Sequence, residues 1–187
     1  MGNFDLIIKG GTVATAADTF RSDVGIRDGR VVALGHDLGS ADREIDAGGM
    51  LVLPGGIDAH CHIEQESSTM LMTADDYYSG SVSAAFGGNT TFIPFAAQHR
   101  GQNLRDVVQI THDRAGPKSV IDYAFHLIIS DPTENVLGQE LPALIMEGYT
   151  SFKVYMTYDA LKLDDRQMLT VLSTARREGA IDRKSVV

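Results

Sequence analysis

The sequence predicts an α/β protein: the first half of a (β/α)8 barrel, preceded by part of a small β domain. Three observations carry this expectation. Residues 1–53 read as all-β, with short apolar runs separated by glycine-rich turns. After Pro54-Gly55-Gly56, apolar strand-like runs begin near Ile57, Thr90, Val120 and Thr150, at intervals of about 30 residues. Between those runs lie helix patterns with recognisable ends. Four βα units at this spacing imply a parallel sheet with helices outside it. A complete barrel takes roughly 250 residues, so 54–187 corresponds to its first four units.

In the first domain, Asp5-Leu6-Ile7-Ile8-Lys9 is an apolar strand stopped by Gly10-Gly11, and Thr12-Val13-Ala14-Thr15 follows it. Residues 24–27 and 30–34 flank Asp28-Gly29, a two-residue hairpin signal because both turn positions require φ > 0. Residues 44–46 and 50–53 are candidates for a further pair around Ala47-Gly48-Gly49. In the second domain, Thr73-Ala74-Asp75-Asp76 reads as a capping box for a helix that stops at Gly87-Gly88. Asn103 caps a helix carrying Leu104, Val107 and Val108, ended by Gly116-Pro117. Asp131-Pro132-Thr133-Glu134 opens a third helical segment, which Pro142 splits. Asp164-Asp165-Arg166-Gln167 opens a fourth, with Met168, Leu169, Val171, Leu172 and Ala175 on its apolar side and Gly179 at its end. Beyond Ala180-Ile181, the tail Asp182-Arg183-Lys184-Ser185-Val186-Val187 has too few apolar residues for a buried parallel strand. The expectation is that the chain is cut there or its last residues are out of register.

Composition bounds the function. The 187 residues are 43% hydrophobic and carry 16 Lys+Arg against 25 Asp+Glu, a net charge of −9. An acidic field repels phosphate, which argues against nucleic acid or an anionic membrane as partner. No apolar run approaches the roughly 18 residues of a membrane span, and residues 1–9 do not read as a signal peptide. The single cysteine, Cys61, excludes a disulfide framework and a cysteine-rich zinc site, and the expected compartment is the cytoplasm.

Two constellations carry chemistry. In Ile57-Asp58-Ala59-His60-Cys61-His62, strand alternation puts Asp58, His60 and His62 on one face and Ala59, Cys61 and Ile63 on the other. Two imidazoles about 7 Å apart along a strand can converge on one metal ion, with Asp58 orienting a ring from behind. Cys61 reads as a small buried hydrophobe. In Ser151-Phe152-Lys153-Val154-Tyr155-Met156, Lys153 shares a face with Ser151 and Tyr155. A lysine in so apolar a strand must snorkel to water or be neutralised, paired or modified. Opposite a His-X-His pair, a neutral amine can take up carbon dioxide and become a carbamate able to bridge two metal ions. Of the other histidines, His36 and His112 read as surface residues and His126 as a hydrogen-bonded core residue. His99 lies in the loop after the second strand, on the face where barrels place their active sites.

These residues resemble the dihydropyrimidinases and hydantoinases, cyclic amidohydrolases of the amidohydrolase superfamily. The matching stretches are 54–62, 87–94, 122–126 and 148–156, and the similarity runs from Asp5 to about Ala180. The resemblance implies a TIM-like metal-dependent hydrolase barrel (54–187, truncated) and an incomplete β-sandwich domain (1–53). It implies that His60 and His62 bind the more buried of two divalent ions, zinc by family habit. Carboxylated Lys153 would bridge the ions, and Tyr155 would donate its hydroxyl to the oxyanion as the ring amide is attacked. Hydantoins or dihydropyrimidines would open to N-carbamoyl amino acids. Two further histidines and an aspartate of the family lie beyond residue 187, so the fragment alone is expected to be inactive. The loops 64–72 and 155–161, with Met70, Leu71, Met72 and Tyr158, are expected to contact the ring substituent. Dihydroorotate is disfavoured, because Ile63-Glu64-Gln65-Glu66 offers two acids and no arginine after His-X-His. Allantoin, itself a hydantoin, remains an alternative, as does a non-catalytic remnant that binds only a metal or a partner subunit. The family tends to form homotetramers.

Overall fold

The computed structural model describes residues 4–66 and 71–185, which fall into two compact units, Met1–Gly55 and Gly56–Val187. In the first, β1 (Phe4–Ala14) is the central strand. It runs straight through Gly10-Gly11, where a strand end was expected. A bulge between Ile8 and Gly11 absorbs the irregularity, with Gly10 at φ 72° and its N–H donated to the Asp23 carboxylate at 2.8 Å. β2 (Thr19–Arg27) pairs antiparallel with β1 and with β3 (Arg30–Gly35). Asp28 and Gly29 close the β2–β3 hairpin at φ 51° and 69°, the two positive values the dipeptide signalled. β4 (Ala41–Asp46) and β5 (Leu51–Val52) do not pair with each other. Both lie parallel to β1, against residues 4–9 and 12–13. The intervening turn carries the chain along one edge of β1, through Ala47 N–H to Lys9 O and Thr12 N–H to Met50 O, at 2.8 and 2.9 Å.

The strand ladders of the second unit are parallel. β6 (Gly56–Asp58), β7 (Asn89–Phe92) and β9 (Asp122–Tyr123) form one ladder. β8 (Phe95–Ala97), β10 (His126–Ile128), β11 (Ser151–Tyr155) and β12 (Ile181–Ser185) form the other. β7 and β8 are halves of one run broken at Ile93-Pro94, and β9 and β10 are halves of one broken at Ala124-Phe125. Bonds from Ile93 N–H to Asp58 O, Ala124 N–H to Phe92 O and His126 N–H to Pro94 O span the breaks at 2.8, 3.2 and 2.9 Å. Neighbouring runs in the sheet are therefore neighbours in the chain. The tail departs from expectation: Ile181–Ser185 pairs with β11 from Ser151↔Ile181 to Tyr155↔Ser185. The ladder uses main-chain groups that any residue but proline supplies, so sparse apolar character does not bar a strand at this position.

The helices cover one face. α1 (Tyr77–Phe86) is capped by Asp76 with Ser79, three residues later than the expected box at Thr73. α2 (Leu104–Ala115) is capped by Asn103 as expected. Buried Glu140 adds a carboxylate to its first turn, accepting the Leu104 N–H at 2.6 Å. The third segment divides into a π-helical turn (Val136–Glu140) and α3 (Leu141–Met146), with Pro142 at the α3 start. α4 (Asp165–Glu178) has the Asp164–Gln167 capping box and Gly179 at φ 78°. Its buried side is Val171, Thr174 and Ala175, while Leu169 and Leu172 face outward. No helix of the described residues is long and apolar enough to cross a membrane.

Two apolar clusters record the strand alternation. Leu127, Ile129, Phe152 and Val154 join Val107, Leu141, Leu144 and Val171 in the larger cluster, beneath the helices. Phe95, Ile128 and Tyr155, with Ala97 and Leu161, form a smaller cluster on the opposite face. Phe152 is 0% exposed and Ile181 is 67% exposed. Phe152→Ala is therefore expected to destabilise the chain by about 3–5 kcal/mol, and Ile181→Ala by no more than about 0.5 kcal/mol. Denaturant unfolding of both variants checks the layering, and equal losses at the two positions would contradict it.

Candidate active site

The chemistry-bearing residues meet on the inner face, around a ring that sequence reasoning passed over. β6 stops at Asp58, so His60 and His62 lie on the loop after the strand and not on a regular pleat. Asp58, expected to orient a ring, uses its carboxylate on the main chain instead, accepting the His60 N–H at 3.0 Å. The two imidazoles nevertheless come together, with ring centroids 5.4 Å apart. Both rest on Phe95. His62 stacks on it at 5.0 Å and 23°, and His60 meets it edge-on at 5.1 Å. Lys153 Nζ lies 4.6 Å from the Phe95 centroid and 4.9 Å from that of Tyr155. His126, in register with Phe95, packs its ring 5.3 Å away. The available signal for Phe95 was its strand parity with Ala97, next to the strand that leads into the histidines.

Two of the imidazoles on this face have defined hydrogen-bond partners. His62 Nδ1 lies 2.7 Å from Gln65 Oε1. His126 is buried and uses both ring nitrogens, one with Ser151 Oγ and one with the Ala59 carbonyl, as a core histidine would. Lys153 is buried despite its amine. Tyr155 is buried too, and desolvation, followed by the neighbouring Tyr158, raises its phenol pKa above the usual value. Tyr158 packs edge-on to it at 5.2 Å and is otherwise exposed. Cys61 joins the apolar cluster under the helices, and burial with the nearby Asp58 charge pushes its thiol up to about 12. That environment suits a hydrophobe rather than a ligand.

Among the described residues, no three His, Cys, Asp or Glu side chains gather where they could hold a metal ion. The cluster present is two histidines and a lysine. Its donor set fits a divalent cation if the lysine contributes oxygen, since imidazole and carboxylate-like oxygen are ordinary zinc ligands.

Beside the cluster opens a cleft of ≈ 490 Å³, whose lining includes Tyr155, Ile128 and Leu161 together with Gln65, Glu66, Gln98, His99 and Arg100. The loops bearing Gln98 and His99 are tied to the next strand end. Buried Gln98 accepts the Ser130 and Asp131 N–H groups, and Asp131 accepts the Gly101 N–H. Leu71 and Met72 are exposed and, like Tyr158, do not line this cleft; Met70 lies outside the described residues. Glu64, counted as an acid facing substrate, instead turns to Lys118, which it binds through both oxygens at 2.8 and 2.9 Å. Only Glu66 of that pair lines the cleft. His112, expected on the surface, is half-buried against Phe125 and hydrogen-bonded to Tyr123 and Tyr149, because α2 turns that edge toward the sheet. His36 is exposed.

No protein-family model matches the chain. It is 44% identical over 178 residues to a D-hydantoinase of Ralstonia pickettii and 43% identical to one of Geobacillus stearothermophilus. These alignments take in 95% and 94% of this chain but 38% and 37% of the relatives, so the chain spans well under half their length. Among solved structures, a D-hydantoinase superposes with TM-score 0.92 at 43% identity, over 97% of this chain and 39% of the other. A dihydropyrimidinase of Brevibacillus agri superposes with TM-score 0.89 at 39% identity, over 95% of this chain and 39% of the other. In sequence and in backbone, along nearly all of its own length, the chain is similar to one part of D-hydantoinases and of a dihydropyrimidinase.

Proposed function

We propose that this chain supplies one part of the active site of a metal-dependent cyclic-amide hydrolase, which opens a hydantoin or dihydropyrimidine ring to an N-carbamoyl amino acid. It would do so as the first four βα units of a (β/α)8 barrel, with residues 1–53 belonging to a β-sandwich. The observation that carries the reading is the convergence of His60, His62 and Lys153 on Phe95, with all three polar heads within about 5 Å of one apolar ring. A basic residue and two imidazoles gathered on an apolar floor have no evident packing role.

In this reading His60 and His62 would hold one divalent ion, zinc by resemblance, and Lys153, as its carbamate, would offer oxygen to that ion and to a second. Carbamate formation joins the neutral amine to carbon dioxide with loss of one proton, and the product offers two oxygens where an ammonium offers none. Burial of Lys153 favours the exchange, since an unmodified ammonium in that position is costly to desolvate. Divalent ions so held would supply Lewis acidity and a lowered water pKa. Tyr155 does the rest that this chain can do. A tyrosine phenol is protonated at neutral pH, and burial raises its pKa further, so the hydroxyl can donate to the oxygen that becomes anionic as the ring amide is attacked. The apolar side of the cleft, Ile128 and Leu161, excludes water from one flank of the substrate.

Three outcomes check the proposal in the protein expressed from its complete reading frame. His60→Ala together with His62→Ala should lower bound metal by at least one ion per chain in elemental analysis, and unchanged metal content would remove the assignment. Lys153→Ala should abolish hydrolysis, and a short carboxylic acid should restore part of it by occupying the vacated space; a fully active variant would exclude the bridging role. Tyr155→Phe should reduce kcat by about 10²–10³-fold with metal content intact, as for loss of one oxyanion donor.

A further inference from the structure

The loop between β6 and α1 is tied down more heavily than a connection needs to be, and the ties lead to one ring. Glu64 sits in the left-handed region at φ 45°, a conformation that side chains other than glycine seldom adopt. It is held there on several sides. Its carboxylate accepts from Lys118 and from the Tyr77 N–H, its N–H donates to Asp75 O, and its carbonyl accepts from Arg114. The next residue, Gln65, is fixed through its main chain. Its N–H donates to Thr73 Oγ1, and its carbonyl accepts the Thr73 N–H, both at 3.0 Å. Glu66 then bridges to Met72 in antiparallel fashion. With its backbone clamped on both sides, Gln65 extends its amide to His62 Nδ1 at 2.7 Å, while Phe95 stacks flat against the same imidazole.

We propose that Gln65 is a positioning residue for this site: its amide oxygen takes the Nδ1 proton of His62 and fixes the ring's rotation on Phe95, so that Nε2 carries the lone pair. The inference rests on the reading of His62 as a metal ligand. An imidazole can bind a metal through either nitrogen, and the hydrogen bond made by one decides the role of the other. Stacking sets the plane of the ring but not its tautomer. The amide oxygen, which accepts and cannot donate, sets the tautomer. The choice of an amide has a further consequence. A carboxylate at this place would pull on the Nδ1 proton and raise the basicity of Nε2, whereas the neutral amide orients the ring without that push. Gln65 also lines the cleft, so the group that orients the ligand forms part of the wall facing a substrate.

The test uses the ¹⁵N-labelled 187-residue chain, first metal-free and then titrated with zinc. Long-range ¹H–¹⁵N correlation spectra, assigned with a His62→Asn variant, should show His62 protonated at Nδ1 and bare at Nε2. Gln65→Leu keeps the bulk and loses the acceptor. It should mix the two tautomers and weaken zinc binding by about 10–100-fold. Gln65→Glu keeps an acceptor and should retain the tautomer, with zinc affinity equal to or higher than that of the unaltered chain, which guards against general loop damage. His62 protonated at Nε2 in the unaltered chain, or a Gln65→Leu variant with the original tautomer and zinc affinity, would overturn the proposal. An Nδ1-protonated His62 that responds to Gln65→Leu, in a chain that binds no zinc, would support the positioning role while removing the metal-centre reading on which its purpose rests.

Discussion

The site depends on the two-residue alternation of the parallel strands and on the covering of one of their faces by helices. Along β11, Phe152 and Val154 belong to the cluster beneath the helices, and Lys153 and Tyr155 face the other way. Register carries this parity across the sheet, since His126 pairs with Phe95, Ile128 with Ala97, and Lys153 with Ile128. A slip of one residue in β11 would exchange its apolar and polar side chains between the two faces and send Lys153 into the helix layer. The strength of the outer packing therefore fixes the inner chemistry. The polar residues need not stabilise the fold to be held in place by it.

Phe95 shows how that inner face tolerates its polar load. A bare histidine pair and a lysine amine on an aliphatic floor would lose hydration with little in return. An aromatic floor offers its plane to imidazole and its negatively polarised face to a cation, a contact worth about 0.5–2 kcal/mol when the lysine is protonated. Those interactions are weak enough to give way when stronger ligands enter. The arrangement is thus ordered without being closed, which suits side chains proposed to take up carbon dioxide and metal.

Much of this was legible beforehand, for reasons that can be named. The βα spacing, the Asn103 and Asp164 caps and the Asp28-Gly29 turn are local signals, and the structure keeps them. The misreadings arose where a tertiary partner decided the outcome. The chain beyond Ala47 lies along β1 rather than folding into a hairpin, because β1 presents a free edge on both sides of its bulge. His112 is drawn inward by Tyr123 and Tyr149, residues far away in sequence. Leu169 and Leu172 point outward because Thr174 takes the inner helix position. Phe95 was invisible as a site residue because an apolar residue in a strand looks like core, and it is core; its importance lies in what rests on it. The lining of the cleft was similarly hidden, since it depends on how Gln98 ties two loops together.

The loop after β6 marks where strand geometry hands over to hydrogen bonding. A regular strand through residue 62 would have aimed both histidines by its pleat alone, and the sequence pattern invites that reading. The strand ends at Asp58, and from there each direction has to be specified separately. Asp58 turns the main chain at His60, Glu64 holds a backbone conformation that costs about 1–2 kcal/mol for a residue with a side chain, and Gln65 meets His62. The strain at Glu64 is retained because Lys118, Arg114 and the Tyr77 N–H all engage the same residue from the helix side. With this network in place the two imidazole ring centroids lie 5.4 Å apart. Here the imidazoles meet off the pleat, and this hydrogen-bond network takes over the aiming that strand alternation would otherwise supply.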